Sequence, residues 1–151
     1  MNRRSVLLAI LAAPSFVLLT QPGRASPLPK LTVFRNPGCG CCAGWAQHMN
    51  AAGFEVTMQD DPNLDDRRKR LGIPAELASC HIAMTEGYAF EGHVPSGDVV
   101  KFLHERPPGA IGLVVAGMPA GSPGMGPEGS GGPYEVLFLT ANAAPSVYAT
   151  H

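Results

Sequence analysis

The sequence predicts a single α/β domain arranged around a cysteine-rich turn. Three of the four cysteines fall within four positions, Cys39 to Cys42. They follow a short apolar run at residues 31–34 and precede a segment, residues 43–52, whose composition allows a helix. A strand, a glycine-bearing turn and a helix in that order place cysteines at a helix N-terminus. The unpaired N–H groups and the helix dipole favour thiolate over thiol there.

Apolar periodicity and the placement of glycine and proline predict seven elements in the order β-α-β-α-β-β-α. In chain order these elements span residues 31–35, 42–52, 54–59, 61–71, 81–85, 88–91 and 96–105. Gly53 and Gly72 end the first two helices. Glu86-Gly87 is the turn between the paired strands, and Pro107 ends the last helix. This is the order of the thioredoxin fold.

The thioredoxin order also places the fourth cysteine. The third strand of such a sheet runs antiparallel beside the first, so its start lies against the end of the first strand. Cys80 stands at that start, 38 residues after Cys42. We therefore expect the Cys80 sulfur to face the Cys39–Cys42 turn.

A long loop and a closing hairpin are predicted after the last helix. From residue 109 to residue 133, 13 of 25 residues are Gly or Pro, which a helix or a central strand does not carry. Loops of this length are usually functional or disordered. Met118 and Met125 lie in it, and their thioethers are soft ligands for copper(I) or simply pack against the domain. Residues 134–140 and 147–150 predict the C-terminal hairpin.

The N-terminus has the pattern of an export signal. Arg3-Arg4 precede an apolar run of 15 residues, and small residues follow near Ala25. This run is shorter than the ~20 residues of a spanning helix, so we expect cleavage of residues 1–25 rather than a permanent membrane anchor. The Arg pair fits either the general secretory or the twin-arginine route. Residues 26–151 then form one domain with an oxidising destination.

The charge balance argues against a nucleic-acid partner. Without residues 1–25 the chain has 8 basic and 12 acidic residues, a net charge of −4. The one basic cluster, residues 67–70, follows four aspartates at positions 60, 61, 65 and 66. Because these acids cancel its field, we interpret the cluster as a solvated helix face.

The spacing of the cysteines favours a metal site over a disulfide. A bond between the neighbours Cys41 and Cys42 would be strained. Soft thiolates favour copper(I), zinc or iron–sulfur clusters, and C-x-C-C is not the C-x2-C of a zinc ribbon. Several monovalent ions bridged by sulfurs fit three crowded thiolates better than one divalent ion. Cys39 and Cys42 nevertheless keep the spacing of a thioredoxin-type pair, so a thiol–disulfide site stays open.

The remaining candidates are histidines and one tryptophan. His81 adjoins Cys80 and is either a copper ligand or an ordinary strand histidine. His93 is expected to hydrogen-bond structurally, at some distance from the cysteines. His48 and His104 are expected on solvated helix faces. Trp45 either shields the cysteines from water or belongs to the core.

Five motifs together resemble the CopG-type copper-resistance proteins, and the likeness covers the chain after residue 25. The motifs are Asn36-Pro37-Gly38-Cys39-Gly40-Cys41-Cys42 with Trp45, Ser79-Cys80-His81, Gly92-His93-Val94-Pro95, Glu105-Arg106-Pro107 and the run from Gly117 to Met125. The resemblance implies a periplasmic, thioredoxin-like protein whose Cys39, Cys41, Cys42 and Cys80 bind a copper cluster. It also implies copper resistance by sequestration or by copper(I)/copper(II) redox handling, with other periplasmic copper-handling proteins as partners.

The sequence leaves three functions open. The first is a copper(I)-binding protein with a cluster on four cysteines, assisted by His81, Met118 or Met125. The second is a thiol–disulfide oxidoreductase that uses Cys39 and Cys42. The third is a thioredoxin-like iron–sulfur protein, which the export signal and the methionines disfavour. Catalytic carboxylate pairs, phosphate loops and nucleophile elbows are not apparent, so enzymatic turnover is not predicted beyond copper or thiol redox chemistry.

Overall fold

The computed structural model of the protein describes residues 27–151, and the predicted export signal lies outside them. The strands are β1 (Lys30–Arg35), β2 (Glu55–Asp60), β3 (His81–Thr85), β4 (Tyr88–Glu91), β5 (Ala110–Val114), β6 (Glu135–Thr140) and β7 (Ala143–Thr150). The helices are α1 (Gly40–Ala51), α2 (Leu64–Leu71) and α3 (Ser96–Glu105), with a short 3₁₀ helix at Ala75–Leu77. The predicted element order is confirmed as far as α3, and both the β3–β4 hairpin and α3 have the predicted bounds.

All seven strands form one mixed sheet in the order β2-β1-β3-β4-β5-β6-β7. β1 is parallel to β2 and antiparallel to β3. The β1–β3 register pairs Arg35 with His81, and the Asn36 N–H donates to the Cys80 carbonyl (3.2 Å). The end of β1 and the start of β3 therefore meet, as the sequence predicts. The metal-binding candidates are gathered where these two strand ends meet.

The helices cover both faces of the sheet. On one face, Trp45 and Met49 of α1 pack with Phe102 of α3 against residues such as Leu31 and Phe90. On the other face, a smaller core forms around α2 and the segment after it, with Leu64, Ile73, Ile82, Ala89, Val114 and Leu139. Side chains alternate between the two faces along each strand. The α1 side carries the larger core, and it buries one face of the helix that presents the cysteines.

Helix boundaries differ from prediction near the N-termini. α1 begins at Gly40 rather than Cys42, with Cys39 as its N-cap residue, so Cys41 and Cys42 lie in its first turn. α2 begins at Leu64 instead of residue 61, because Asp61 folds back to accept the Asn63 N–H (2.9 Å). Such an aspartate-stabilised turn competes with helix formation.

The predicted continuous loop at residues 109–133 is wrong at its start. β5 occupies Ala110–Val114 and pairs between β4 and β6, so the loop runs from 115 to 134. Residues 110–115 are apolar with one glycine, and the Gly/Pro content of the whole window conceals them. Gly112 suits the central strand because an added Cβ would overlap the Ala89 carbonyl oxygen.

The predicted C-terminal hairpin forms, but its second strand is longer than predicted. β7 begins at Ala143 instead of Val147 and includes Pro145. β7 is one of the two edge strands of the sheet, and an edge strand tolerates proline because one side of its backbone needs no partner. Within residues 27–151 no helix is long and apolar enough to cross a membrane.

The interpretation of residues 67–70 as a wholly solvated face is wrong for Arg68. Its side chain is only 6% exposed and lies against the fully buried Glu91. Arg68 follows Leu64 by four positions, so both side chains are on the face of α2 that packs on the sheet. Lys69 and Arg70 are exposed, as predicted.

Candidate metal centre

A tight turn leads from β1 into α1 and carries three cysteines. The Asn36 carbonyl accepts the Cys39 N–H (3.2 Å), and Gly38 has a φ of +76° that an L-residue rarely adopts. Arg35 donates to the Cys39 carbonyl (3.1 Å) and so ties the turn to β1. The Cys42 side chain is buried, whereas Cys39 and Cys41 are half-buried. The turn thus presents sulfurs between the protein interior and its surface.

Antiparallel pairing of β1 and β3 brings Cys80 to this turn. Its side chain is 8% exposed, and its sulfur is 3.5 Å from the sulfurs of both Cys41 and Cys42. The expectation that Cys80 faces the turn is confirmed by these distances. Cys80 therefore joins the group across a sequence gap that no metal-binding motif would show.

The four sulfurs form one compact group, here called the cysteine cluster: Cys39, Cys41, Cys42 and Cys80. All lie within 4.8 Å of one another. Cys39 and Cys42 are joined by a disulfide, and Cys41 and Cys80 are free. The Cys41 sulfur is 3.4 Å from that of Cys39. The cluster therefore contains both the sulfur set of a metal site and the disulfide of a dithiol pair.

Two imidazoles extend the cluster into the interior. His81 Nδ1 is 3.4 Å and His93 Nε2 is 3.2 Å from the Cys80 sulfur, and both rings are fully buried. The expectation that His93 lies at a distance from the cysteines is wrong. The two-residue turn at Glu86-Gly87 fixes the hairpin register, with Ile82 opposite Glu91. Continuing that register sets His93 opposite Cys80, a signal already present in the sequence.

Hydrogen bonding fixes the tautomer of His93. Its Nδ1 lies 2.7 Å from the Pro123 carbonyl, which can only accept, so Nδ1 carries the proton and Nε2 presents a lone pair to Cys80. The single Cys80 proton can satisfy that lone pair. His81 Nδ1 then donates to the same sulfur, which leaves His81 Nε2 as the one buried side-chain N or O atom without a partner among the described residues.

Burial sets the ionisation of the cluster. It raises the pKa of the Cys80 thiol to about 12, with a further contribution from the neighbouring Cys41. It lowers the pKa of His81 to about 3 and lowers the pKa of His93. Cys80 is therefore a thiol and both imidazoles are neutral at pH 7. Neutral imidazole is the form that binds metals, whereas Cys80 must lose its proton before it can do so.

The loop after β5 covers the cluster. The Met118 sulfur is 3.9 Å from the Cys41 sulfur, with 54% of Met118 exposed. Met125 is half-buried, and among the described residues no such sulfur contact involves it. At Gly124 the loop touches α1 so closely that an added Cβ would lie 2.5 Å from the Trp45 backbone nitrogen. The structure thus brings Met118 to the cluster and docks the loop beside it.

The other predicted candidates lie around this site. Trp45 is fully buried, its indole N–H donates to the Val94 carbonyl (2.8 Å), and its ring lies 4.6 Å from that of His81. It is therefore both a core residue and a wall of the site. His104 is exposed as predicted. His48 is not on a solvated face, because it is half-buried and accepts the Ser96 N–H (3.0 Å).

Comparison with known proteins identifies the family. Two solved structures named copper resistance protein CopG, forms 1 and 2, share 37% and 36% sequence identity with this chain. Each alignment covers 82% of this chain and 98% of the other, with TM-scores of 0.76 and 0.75. The chain belongs to the CopG-type copper-resistance family. A family model described as a protein of unknown function, DUF411, matches residues 77–125 of this CopG-type chain. No curated protein matches it.

The donor set agrees with a copper-related role for this CopG-type protein. Four cysteine sulfurs, one thioether and two imidazole nitrogens converge within one region, and thiolates and thioethers are the ligands that copper(I) prefers. Hard cations such as Mg²⁺ and Ca²⁺ need oxygen ligands, and none of the cluster side chains supplies one. The site therefore suits a soft metal ion.

Proposed function

We propose that the protein binds copper(I) as a cysteine-bridged cluster and thereby acts in copper resistance. The observation that carries this proposal is the convergence of four cysteine sulfurs within 4.8 Å in a CopG-type chain. The copper would be held by Cys39, Cys41, Cys42 and Cys80. Met118 and His81 would be further ligands, and Met125 is the less favoured candidate because it makes no sulfur contact among the described residues. Bound copper would supply one-electron redox chemistry between its two common oxidation states.

Charge balance supports more than one copper ion per chain. Four thiolates around a single monovalent ion leave a net charge of −3 in a mostly buried site, which is strongly unfavourable. Sulfurs that bridge several copper(I) ions reduce that charge. The half-exposed Met118 and Cys41 define the open side of the cluster, where ions would enter.

The same proposal includes the fold and the compartment. The parallel β1–α1–β2 unit, the antiparallel β3–β4 hairpin and α3 are the elements of a thioredoxin-like domain, to which β5, the loop and the β6–β7 hairpin are added. We place the protein in the periplasm on the basis of its N-terminal sequence. An oxidising compartment would account for the Cys39–Cys42 disulfide.

One observation favours a second function, thiol–disulfide exchange by Cys39 and Cys42. These residues form a disulfide with C-x2-C spacing at the start of a helix. Reduction by two electrons and two protons would break this bond and yield two thiols. Copper binding by all four cysteines requires the same reduction. Oxidoreductase and copper-binding roles therefore differ in the fate of the reduced thiols, and in whether Cys41 and Cys80 are needed.

Anaerobic copper(I) titration of the reduced protein tests the proposal. We expect binding of more than one equivalent, and metal analysis should then find copper and no iron. A clean endpoint at one equivalent would contradict the cluster, and bound iron would favour the iron–sulfur alternative. Met118→Leu should weaken binding, and Met125→Leu is the matched comparison within the same loop.

Cys41→Ser separates the two functions. Cys41 is outside the disulfide, yet its sulfur lies 3.4–3.5 Å from those of Cys39 and Cys80. A copper cluster should lose most of its affinity in this variant, since a bridging sulfur is removed. A thioredoxin-type reductant based on Cys39 and Cys42 should keep its activity. A variant that retains copper and reduces disulfides would establish the second function instead.

A further inference from the structure

A buried ion pair contacts Ser79, the residue before Cys80, and lies outside the set of sulfur and imidazole donors. Glu91 of β4 is fully buried, and Arg68 of α2 is 5% exposed. Arg68 Nε lies 3.1 Å from both carboxylate oxygens of Glu91, and Nη2 donates to Oε1 at 2.9 Å. Asp65 accepts from Nη1 at 2.6 Å. A buried charge pair is poor evidence for stability, because apolar residues often serve as well, so the pair calls for another explanation.

The pair holds both backbone groups of one residue, Ser79. The Ser79 N–H donates to Glu91 Oε1 at 2.6 Å, and the Ser79 carbonyl accepts from Arg68 Nη2 at 2.6 Å. Ser79 immediately precedes Cys80. The segment before it, residues 75–78, lies outside the sheet, so no strand ladder fixes the Ser79 peptide groups on that side. The charged side chains take the place of such a ladder.

Ser79 also reaches the loop that carries Met118. The Ser79 hydroxyl donates to the Gly117 carbonyl, and the Gly117 N–H donates to the Ala78 carbonyl (3.3 Å). Gly117 is the residue before Met118. One residue held by the ion pair is therefore adjacent to Cys80 along the chain and hydrogen-bonded to the neighbour of Met118.

We propose that Arg68 and Glu91 are positioning residues that fix Cys80 and Met118 for metal binding, acting through the backbone of Ser79. The inference rests on the proposed copper function. Residues of this kind, which orient ligands without touching the metal, change metal affinity about 10- to 100-fold when they are replaced. Because the pair acts by geometry, its loss should also alter the metal-free protein.

Two variants test this role. Glu91→Gln keeps the shape and removes the charge, and Glu86→Gln is its matched control, since Glu86 pairs with Arg106 at the exposed far end of the same hairpin. The double variant Arg68→Met, Glu91→Leu replaces the pair with apolar side chains and so leaves no unpaired charge in the interior. It removes both partners of the Ser79 backbone. If the pair serves only to neutralise buried charge, the double variant should behave like the wild type. If the pair positions Cys80 and Met118, the double variant should remain defective.

The first readout needs no metal. Native, metal-free protein with its disulfide intact is pulsed with iodoacetamide, and peptide mass mapping gives the Cys80 labelling rate relative to Cys41. We expect this ratio to rise about tenfold or more in the double variant. It should rise less in Glu91→Gln, whose amide oxygen can still accept from the Ser79 N–H, and should stay unchanged in Glu86→Gln. An unchanged ratio in the double variant, at unchanged thermal midpoint, would overturn the proposal. The proposal would also be overturned if the rise in Cys80 labelling were fully explained by more frequent global unfolding, as calculated from the loss of stability of the double variant.

The second readout is copper(I) affinity by competition with a chromogenic chelator. We expect a loss of about 10- to 100-fold in the double variant and none in Glu86→Gln. Wild-type affinity in the double variant would overturn the positioning role, whatever its labelling. Failure of the wild-type protein to bind copper would instead refute the proposed function, and the labelling ratio would still decide whether the pair positions Cys80.

Discussion

The contact between the loop and α1 at Gly124 offers a direct test of how the site is assembled. Gly124 has a φ of +84°, and an added Cβ would lie 2.5 Å from the Trp45 nitrogen and 3.0 Å from the Cys41 carbonyl oxygen. Both atoms belong to the backbone of α1, which cannot shift without breaking its own hydrogen bonds. In Gly124→Ala the loop must therefore move away from the helix.

The expected effect has two parts. Positive φ costs a non-glycine residue about 1–2 kcal/mol. Displacement of the loop adds the loss of the hydrogen bond between His93 Nδ1 and the Pro123 carbonyl, worth about 1 kcal/mol. Gly129→Ala isolates the first part, because Gly129 has a φ of +73° and an added Cβ there meets nothing within 4 Å. We expect Gly124→Ala to be less stable than Gly129→Ala by about 1–3 kcal/mol.

The displacement should also weaken metal binding. Two hydrogen bonds connect the loop internally: the Met125 N–H donates to the Ser122 carbonyl (2.8 Å), and the Ser122 hydroxyl donates to the Pro119 carbonyl (2.7 Å). Because of these bonds, a displacement at Gly124 should also move Met118. We expect copper(I) affinity to fall about tenfold, the equivalent of ~1.4 kcal/mol. Urea unfolding and chelator competition measure the two effects. Equal stability and affinity in the two alanine variants would refute a docked loop.

Two more expected outcomes depend on burial and on sheet packing. Burial lowers the pKa of His81 to about 3 and lowers those of His93 and His48. Below about pH 6.5 the unfolded chain therefore binds protons that the folded chain does not. The free energy of unfolding is highest above that pH and decreases as the pH falls. Each histidine contributes a decrease of at most about 1.4 kcal/mol per pH unit. Urea midpoints of the metal-free protein at pH 7 and 5 should differ accordingly, and a flat profile would contradict the burial. Gly112→Ala should destabilise the sheet by more than ~3 kcal/mol, since its Cβ would overlap a β4 carbonyl oxygen. Gly109→Ala should cost only the positive φ, about 1–2 kcal/mol. Similar unfolding midpoints would contradict the observed β4–β5 pairing.

The local elements were predictable because their signals are local. A two-residue turn with glycine fixes the β3–β4 hairpin, and the apolar spacing of Val99, Phe102 and Leu103 fixes α3. Cys80 was predictable for a different reason, namely that one topological expectation, antiparallel β1 and β3, determines which chain ends meet. The prediction of β5 failed because a compositional average over 25 residues conceals a strand of five.

The features that sequence reasoning missed depend on pairs of elements. Arg68 lies in a run of four basic residues, and a charge run indicates solvent unless the helix face is counted from Leu64. Its partner Glu91 is 23 positions away on a strand whose two faces are both covered. His93 needed the hairpin register to be carried two residues beyond the end of β4. In each case the sequence contains the signal, but only tertiary packing makes it decisive.

The choice between copper and dithiol chemistry depends on Cys41 and Cys80 rather than on the C-x2-C pair. In a dithiol enzyme the two thiols exchange with a substrate disulfide, and a further reactive thiol nearby, such as Cys41 here, diverts the intermediate to itself. Here a third sulfur lies 3.4 Å from Cys39 and a fourth lies 3.5 Å from Cys42. Burial raises the pKa of the fourth, Cys80, to about 12, which makes it a poor nucleophile at neutral pH. A soft metal ion would displace that proton and gain a ligand, so the buried thiol would serve a metal site and be of little use to disulfide exchange.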